Sequence, residues 1–387
     1  MCLASFSPAQ AADITLSSAV LINSSNISTY NGKSIGGTIP SDSSAGTTGD
    51  FISKGAIVVD GIELSLTIDG LNVDYSGVYS MLSGISLVNG AKLHLTVNGT
   101  NNLKAGYGGA GIAVPDGTAL EITAQSSGTL NVTGGRNYGG GAGIGSIGNR
   151  NSTADVTNLM VPQGLGDITI NGGTVNAQGG THYRQTTPAG GAAGIGSSEY
   201  SGATTSPSFK DNRYLNNITG SVTINGGTVS ATGGDGSAGI GGGEYGTLKT
   251  ITITGGTVTA TGGDMGAAIG LGANGFYEGT GTLTCPAISI TAGTVTANGN
   301  IGYGMTMDWA VNQNVGGSVT IGSTATLKCT GKIAPYEAAS IPSNSYVDAD
   351  GRLQQAQNTT SAFGADTWNE GWYVVDQYTE ITPPESS

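Results

Sequence analysis

Carboxylate side chains recur at equivalent positions of a repeated sequence, and pairs of carboxylates are the groups that cleave glycosidic bonds. The segments NGGTVSATGGD and TGGTVTATGGD match at an offset of 29 residues, which gives Asp235 and Asp264 the same position in the repeat. Glu199 and Glu244 are also equivalent, because each lies four residues after the isoleucine of an A-G-I-G segment. Carboxyl groups about 5–5.5 Å apart suit a retaining glycoside hydrolase, and groups about 6.5–9.5 Å apart an inverting one. If the protein is an enzyme, these four acids are its predicted catalytic residues.

Tyrosines accompany the acids, and their rings offer flat apolar faces on which sugar rings can stack. Tyr200 and Tyr245 directly follow the two equivalent glutamates, while Tyr138 and Tyr183 each lie three residues after a Gly-Gly pair. The predicted ligand-binding residues are Tyr138, His182, Tyr183, Arg184, Tyr200, Tyr245, Tyr277 and Glu278. The competing interpretation is that these side chains are solvated and only cover the edge of the fold.

The segment His182-Tyr183-Arg184 is the densest polar triplet of the chain. His182 could act as an acid or base with Glu199, and Arg184 could hold the carboxylate of a uronic acid, as a polysaccharide lyase requires. A surface loop without chemistry explains the same three residues.

Metal chemistry has weaker support in the sequence. Neighbouring carboxylates and turn carbonyls are hard oxygen ligands for calcium, but GGDGS matches only the first half of a calcium-binding nonapeptide repeat. The three cysteines and two histidines have no zinc-ligand spacing. We therefore expect no resident metal or cofactor, with calcium as the one open possibility. Cys285 and Cys329 can form a disulfide or remain as two buried free thiols.

A three-part repeat must position these side chains. Each unit has an I-T-I strand, a Gly-Gly turn, a T-V-T-A strand, a second Gly-Gly turn and a short A-G-I-G segment. Alternation along the strands predicts that Ile168, Ile170, Val175 and Ala177 point inward and the threonines outward. Fixed copies of one coil predict a right-handed parallel β-helix. A β-sandwich would explain the alternation but not the repetition.

The repeat also divides the chain. We expect an export-signal remnant at 1–12, an N-terminal β cap with the first coils at 13–90, the repeat array at 91–331 and a C-terminal cap and tail at 332–387. Ala9-Gln10-Ala11 resembles a signal-peptidase site and predicts an extracellular or cell-surface protein. Trp368, Trp372 and Tyr373 are expected to pack in the C-terminal cap. Insertions after A-G-I-G differ in length, so they are expected to collect on one edge, where repeat proteins build binding surfaces.

Composition limits the partners. Glycine accounts for 69 of 387 residues, and only 10% of residues are charged. The net charge of −13 with 13 Lys and Arg argues against nucleic acid or an anionic membrane, because both need a basic surface. No run approaches the ~20 apolar residues of a membrane helix. Neutral polymers or cations are the better partners, and the sequence does not indicate an oligomeric state.

The signature G-G-T-V-x-A-x-G-G, a spacer and A-G-I-G, as at 226–241 and 255–270, resembles the glycine-rich β-helix repeats of secreted or wall-attached bacterial surface proteins. The resemblance covers about residues 91–305 and implies a parallel β-helix. Many proteins of this type are carbohydrate-binding or adhesin-like, so it also implies a polysaccharide or glycan partner. It carries no catalytic residues over to this chain.

A different function is indicated by the outward threonines. Thr174-Val-Asn176, Thr228-Val-Ser230, Thr257-Val-Thr259 and Thr294-Val-Thr296 would align into a flat T-x-T array, as in ice-binding solenoids. Threonine is also the ordinary outward residue of a strand. The sequence thus favours a secreted β-helix that binds a glycan along a tyrosine- and acid-rich edge. A glycoside hydrolase, less readily a polysaccharide lyase, is the alternative, and an ice-binding or structural adhesin solenoid is the third.

Overall fold

The I-T-I segments form the first of three strand faces. In the computed structural model, the described residues are 12–46, 54–137, 140–148, 164–181, 190–198, 219–244, 246–273, 283–304, 314–315, 317–331, 333, 339–340, 345–347 and 353–355. First-face strands stack in parallel, coil upon coil, with isoleucine on isoleucine or valine, as in Ile168 on Val222 and Val222 on Ile251. They are β1 (Ile14–Leu16), β3 (Lys33–Ile39), β6 (Glu63–Asp74), β8 (Lys92–Asn98), β11 (Ala119–Ile122), β14 (Asp167–Ile170), β17 (Ser221–Ile224), β20 (Thr250–Ile253), β24 (Ala287–Asn298) and β27 (Ser318–Cys329).

The T-V-T-A segments form the second face. Its separate strands are β9 (Thr100–Lys104), β12 (Thr129–Thr133), β15 (Thr174–Gln178), β18 (Thr228–Thr232) and β21 (Thr257–Thr261). The 12-residue strands β6, β24 and β27 run through both faces without a break and join them into one 16-stranded sheet.

The A-G-I-G segments form the third face, a separate 10-stranded sheet. Its parallel strands are β2 (Val20–Ile22), β5 (Lys54–Asp60), β7 (Ser83–Val88), β10 (Ile112–Ala113), β13 (Ile144–Gly145), β16 (Ile195–Gly196), β19 (Ile240–Gly241), β22 (Ile269–Gly270) and β25 (Ile301–Gly302). Three faces of parallel strands stacked in register confirm the right-handed parallel β-helix predicted from the repeat.

Short elements flank this solenoid. The helix α1 (Ile27–Tyr30) has four residues, and β4 (Ala45–Gly46) pairs antiparallel with β5. The remaining strands are β23 (Leu283–Thr284), β26 (Asn314–Val315), β28 (Ala339–Ser340), β29 (Ser345–Val347) and β30 (Leu353–Gln355). In the described part of the chain, no helix is long and apolar enough to cross a membrane.

The core is a column of inward side chains that runs along the axis. Ile168, Ile170, Val175 and Ala177 have relative exposures of 0, 0, 0 and 4%, which confirms the predicted alternation. Each inward residue lies on its equivalent in the next coil, so the aliphatic side chains form one continuous cluster. No single coil could bury this apolar surface alone, which is why the units must stack.

The third face is narrow because glycine backbones contact each other between coils. Gly145, Gly196, Gly241 and Gly270 all have φ between 137° and 142°, a region that L side chains rarely adopt. A Cβ on Gly241 would also overlap the carbonyl oxygen of Gly270 in the next coil. Conformation and close approach together require glycine at the last position of A-G-I-G.

The structure decides the state of the two cysteines but does not test the predictions for the two ends of the chain. Cys285 and Cys329 are both buried free thiols, so they do not pair. Trp368, Trp372 and Tyr373 lie outside the described residues, as does the export segment apart from Ala12. Residue 90 is the predicted boundary between the first coils and the repeat array. Parallel pairing occurs before it, between β5 and β7, and across it, between β6 and β8.

Candidate functional site

The second Gly-Gly turn builds an edge where side chains from successive coils are stacked. A Cβ on Gly180 would overlap the carbonyl of Gly135, and one on Gly234 would overlap that of Gly180. Glycine is therefore required at this position, and the residue after it is free to carry a side chain. We call this file the turn edge; it consists of Tyr107, Arg136, Thr181, Asp235 and Asp264.

Hydrogen bonds between coils hold the turn edge in register. The backbone N–H of Gly108 donates to the oxygen of Arg136 at 3.1 Å, and that of Asn137 to Thr181 at 2.9 Å. The residue that directly follows a turn-edge residue has a left-handed backbone conformation in three coils: Asn137 (φ 61°), Gly236 (φ 67°) and Met265 (φ 64°). Repetition of an unusual backbone conformation keeps the turns alike from coil to coil.

Asp235 and Asp264 lie on adjacent coils, because the N–H of Gly236 donates to the carbonyl of Asp264 at 2.9 Å. Both carboxylates are exposed. Adjacent parallel strands are about 4.8 Å apart, so the two acids are side by side on the surface. The structure thus brings together one of the two predicted acid pairs.

Glu244 lies on the inner side of the same turn. Its relative exposure is 5%, and its backbone N–H donates to the carbonyl of Gly191 at 3.2 Å. A Cβ on Gly236 would meet the Cγ of Glu244 at 3.3 Å, so the glutamate packs beneath the turn that presents Asp235. Glu244 is therefore buried beneath the turn and does not belong to the exposed surface that carries Asp235 and Asp264.

An aromatic pair continues the turn edge, and sequence reasoning missed it. Tyr79 is 78% exposed, and its ring centroid lies 4.3 Å from that of Tyr107 with the planes tilted by 55°. The N–H of Tyr107 donates to the carbonyl of Val78 at 3.1 Å, which holds the two loops together. Tyr107 follows Ala105-Gly106 as Arg136 follows Gly134-Gly135, and this spacing could have revealed it. No repeat pattern points to Tyr79.

The other predicted site residues lie outside the described part of the chain. These are Tyr138, His182, Tyr183, Arg184, Glu199, Tyr200, Tyr245, Tyr277 and Glu278. Tyr138 and His182 directly follow Asn137 and Thr181 of the described turns in the sequence. Their roles, like those of the acids, stay predictions.

Metal ligands do not converge in the described residues. Among those residues, no group of three or more His, Cys, Asp or Glu side chains could hold an ion. Asp235 and Asp264 would need oxygen donors from elsewhere to bind calcium, because that ion takes six to eight oxygen ligands.

A second polar cluster lies on the outer surface of the first face. His94 Nε2 is 3.1 Å from Glu63 Oε1, and His94 Nδ1 is 2.6 Å from Glu121 Oε2. The hydrogen bond that His94 donates to Glu121 and, as the second cause, the one that it donates to Glu63 raise the pKa of His94. The Nδ2 of Asn171 then donates to Glu121 Oε1 at 2.7 Å, so the cluster continues along the axis.

Comparison with known proteins finds the repeat and nothing beyond it. A family model described as beta helix repeat matches residues 168–199, 222–244 and 251–273. The three stretches coincide with coils built from β14 to β16, β17 to β19 and β20 to β22. No curated protein and no solved structure matches the chain. The chain therefore contains β-helix repeats, and its chemistry must be argued from its own surface.

Proposed function

We propose that this β-helix protein is a carbohydrate-binding protein that holds a polysaccharide along the turn edge. The observation that carries the proposal is the exposed Tyr79 ring at the head of the edge, which lies against the ring of Tyr107 with the two planes tilted by 55°. A large aromatic ring that is 78% exposed gains little from the fold itself, because burial is what makes aromatic side chains stabilising. An apolar ring face held in place by a neighbour is a suitable platform for the C–H face of a sugar.

Polar side chains along the same edge supply the hydrogen bonds that a sugar chain needs. The Arg136 side chain can donate hydrogen bonds, the Asp235 and Asp264 carboxylates can accept them, and the Thr181 hydroxyl can donate and accept. These residues lie one per coil, about 4.8 Å apart, so a linear polymer parallel to the axis meets a new polar group at every coil. A long ligand therefore gains contacts with length, as expected for a polysaccharide rather than a small molecule.

The low charge of the molecule agrees with a neutral or weakly charged glycan as ligand. Only 10% of the residues are charged, and the net charge is −13. The single cation of the described turn edge, Arg136, lies between the aromatic pair and the acids. We propose that the protein acts outside the cell, where such polymers occur, and cell fractionation tests this localisation.

Affinity electrophoresis against a panel of neutral and acidic polysaccharides tests the proposal. We expect retention of the intact protein by at least one polymer, and about tenfold weaker binding by Tyr79→Ala. Tyr79→Phe is the matched control, because it keeps the ring and should keep the retention. The proposal is wrong if no polymer retains the protein or if Tyr79→Ala binds like the parent.

A glycoside hydrolase acting at the same edge is the second candidate, favoured by the adjacency of Asp235 and Asp264. The spacing of adjacent coils, about 4.8 Å, is close to the carboxyl separation of retaining enzymes, about 5–5.5 Å. New reducing ends that appear with the parent protein and vanish with Asp235→Asn or Asp264→Asn would establish it. If a polysaccharide retains the protein and no new reducing ends appear, the hydrolase candidate is wrong and the binding proposal stands.

A further inference from the structure

The second face presents an outward file of threonines that is longer than the turn edge. Thr100, Thr129, Thr174, Thr228, Thr257, Thr294 and Thr326 are paired in register from each coil to the next. Thr228, Thr257, Thr294 and Thr326 are exposed. One residue type is thus repeated on every coil of this face, from β9 to β27.

Two more outward files lie beside the threonines, two and four residues later along each strand, and their middle section is free of charge. The second file contains Asn131, Asn176, Ser230, Thr259 and Thr296, and the third contains Thr133, Gln178, Thr232, Thr261 and Asn298. With the five threonines from 129 to 294, these positions carry neither a charged nor an aromatic side chain. The surface offers only hydroxyl, amide and methyl groups.

The geometry of this face is a rigid two-dimensional lattice. Groups repeat at about 4.8 Å along the axis and, for residues two apart, at about 6.6 Å along the strand. Branching at Cβ restricts each threonine to few rotamers. The amides also order one another, since Asn131 donates to Asn102 at 2.9 Å and Asn176 to Asn131 at 2.8 Å.

The other two faces lack this combination. The outward file of the first face that contains Thr169, Thr223 and Thr252 also contains His94 and Glu121 and is charged there. The third face is narrow, and its strands from β13 to β25 have only two residues and end in glycine. The second face has charges at its ends, at Lys104 and Lys328, but among the described residues it alone keeps three outward files free of charge over five successive coils.

We infer that the second face binds ice. A rigid periodic surface gains most from a ligand that is itself periodic and rigid, because every coil then makes the same contact at no further ordering cost. The axial repeat is close to the shortest repeat between equivalent oxygens in hexagonal ice. Hydroxyls can hydrogen-bond to lattice water, and the adjacent methyl groups fit between the bound waters. Neutrality suits an uncharged crystal, and the lack of aromatic rings in these files distinguishes this face from the sugar platform at Tyr79.

Inhibition of ice recrystallisation in a frozen sucrose solution tests the inference. The intact protein should arrest grain growth at concentrations where serum albumin does not. Thr257→Lys places a long charged side chain in the centre of the lattice and should raise the required concentration about tenfold. Thr252→Lys is the matched control, because it makes the same change on the same coil but on the first face. It should leave the inhibition unchanged.

The inference is overturned by no inhibition beyond albumin by the folded protein, or by equal loss in Thr257→Lys and Thr252→Lys. Adsorption to crystalline polysaccharide but not to ice would also overturn it. Far-UV circular dichroism confirms that each variant is folded. The result is independent of the glycan proposal, since Tyr79→Ala should keep ice inhibition and Thr257→Lys should keep polysaccharide retention.

Discussion

The protonation of His94 follows from the two contacts of its ring. Nε2 lies 3.1 Å from a Glu63 oxygen and Nδ1 lies 2.6 Å from a Glu121 oxygen. A neutral imidazole has one N–H, so one of the two carboxylates would then face a lone pair. The imidazolium donates to both, and these hydrogen bonds raise the pKa of His94 above its ordinary value.

This raised pKa predicts pH-dependent stability. Because the folded pKa exceeds the unfolded one, the contribution is complete below the unfolded pKa of about 6.5 and is lost as pH rises through the folded pKa. The side chain of His94 is 37% exposed, so the contribution should stay below about 1 kcal/mol. Urea unfolding of the parent and of His94→Gln should show a larger stability difference at about pH 5.5 than at about pH 9.

An equal difference at the two pH values would contradict the assignment. An NMR titration gives a second measurement, in which the His94 resonance should titrate above the ordinary value of about 6.5. The spectrum of His94→Gln identifies that resonance, since the chain has only two histidines.

Burial of Cys285 and Cys329 predicts that both thiols react slowly with thiol reagents in the folded protein. Burial raises the pKa of Cys285 to about 12, and it also raises that of Cys329. The reactive thiolate is therefore scarce at about pH 8, and reagent access is blocked as well. In a Cys2→Ser variant, Ellman's reagent should titrate no thiol in buffer and both thiols in denaturant. Rapid reaction of a thiol in the folded protein would contradict this expectation.

At the scale of the element, the third face depends on glycine in each coil from β13 to β25. Gly241 has φ 141°, and a Cβ there would overlap the carbonyl of Gly270. We expect Gly241→Ala to lower the free energy of unfolding by on the order of 3 kcal/mol, since backbone strain and overpacking add. Thermal and urea unfolding measure this loss.

Gly77 provides the matched control for this substitution. It is an exposed turn residue, and a Cβ there would meet no heavy atom within 4 Å. Gly77→Ala should change the free energy of unfolding by less than about 0.5 kcal/mol. Equal effects of the two substitutions would mean that coil contact does not set the requirement for glycine.

At the scale of the whole molecule, the solenoid is a stack in which each coil contacts its neighbours. Ile224 pairs with Ile253 in the next coil, and Thr228 pairs with Thr257. Removal of residues 225–253 therefore takes out one coil and joins β17 to the turn before β21. The strands that remain keep their register. Since stability in a repeat array is a sum over units and interfaces, the shortened protein should fold, with lower stability.

Removal of residues 225–254 is the control, because it takes one residue more from the Gly-Gly turn. A one-residue slip moves the inward side chains of a strand to the outer face, so this variant should fail to fold cooperatively. Circular dichroism and size-exclusion chromatography distinguish the two variants. Similar melting of both would contradict the register described here.

The sequence alone determined what is local and periodic. Alternation of Ile168, Ile170 and Val175 with threonines is enough to assign the inward and outward sides of a strand, and the 29-residue offset is enough to pair Asp235 with Asp264. The need for glycine at the turns and at the end of A-G-I-G could be predicted for the same reason, because the coils that contain these motifs share the same close contacts.

Only the tertiary structure decided which residues are neighbours where the coils differ in length. Asn171 and Asn225 are 54 residues apart and hydrogen-bonded at 2.9 Å, while His94 and Glu121 are 27 apart and 2.6 Å from each other. Stacking also turns Asn101 inward, where its Oδ1 accepts from the N–H of Leu71 at 2.9 Å. Tyr79 reaches the turn edge through a loop that no repeat describes. Adjacency in a solenoid depends on where each coil closes, and insertions hide that from a linear pattern.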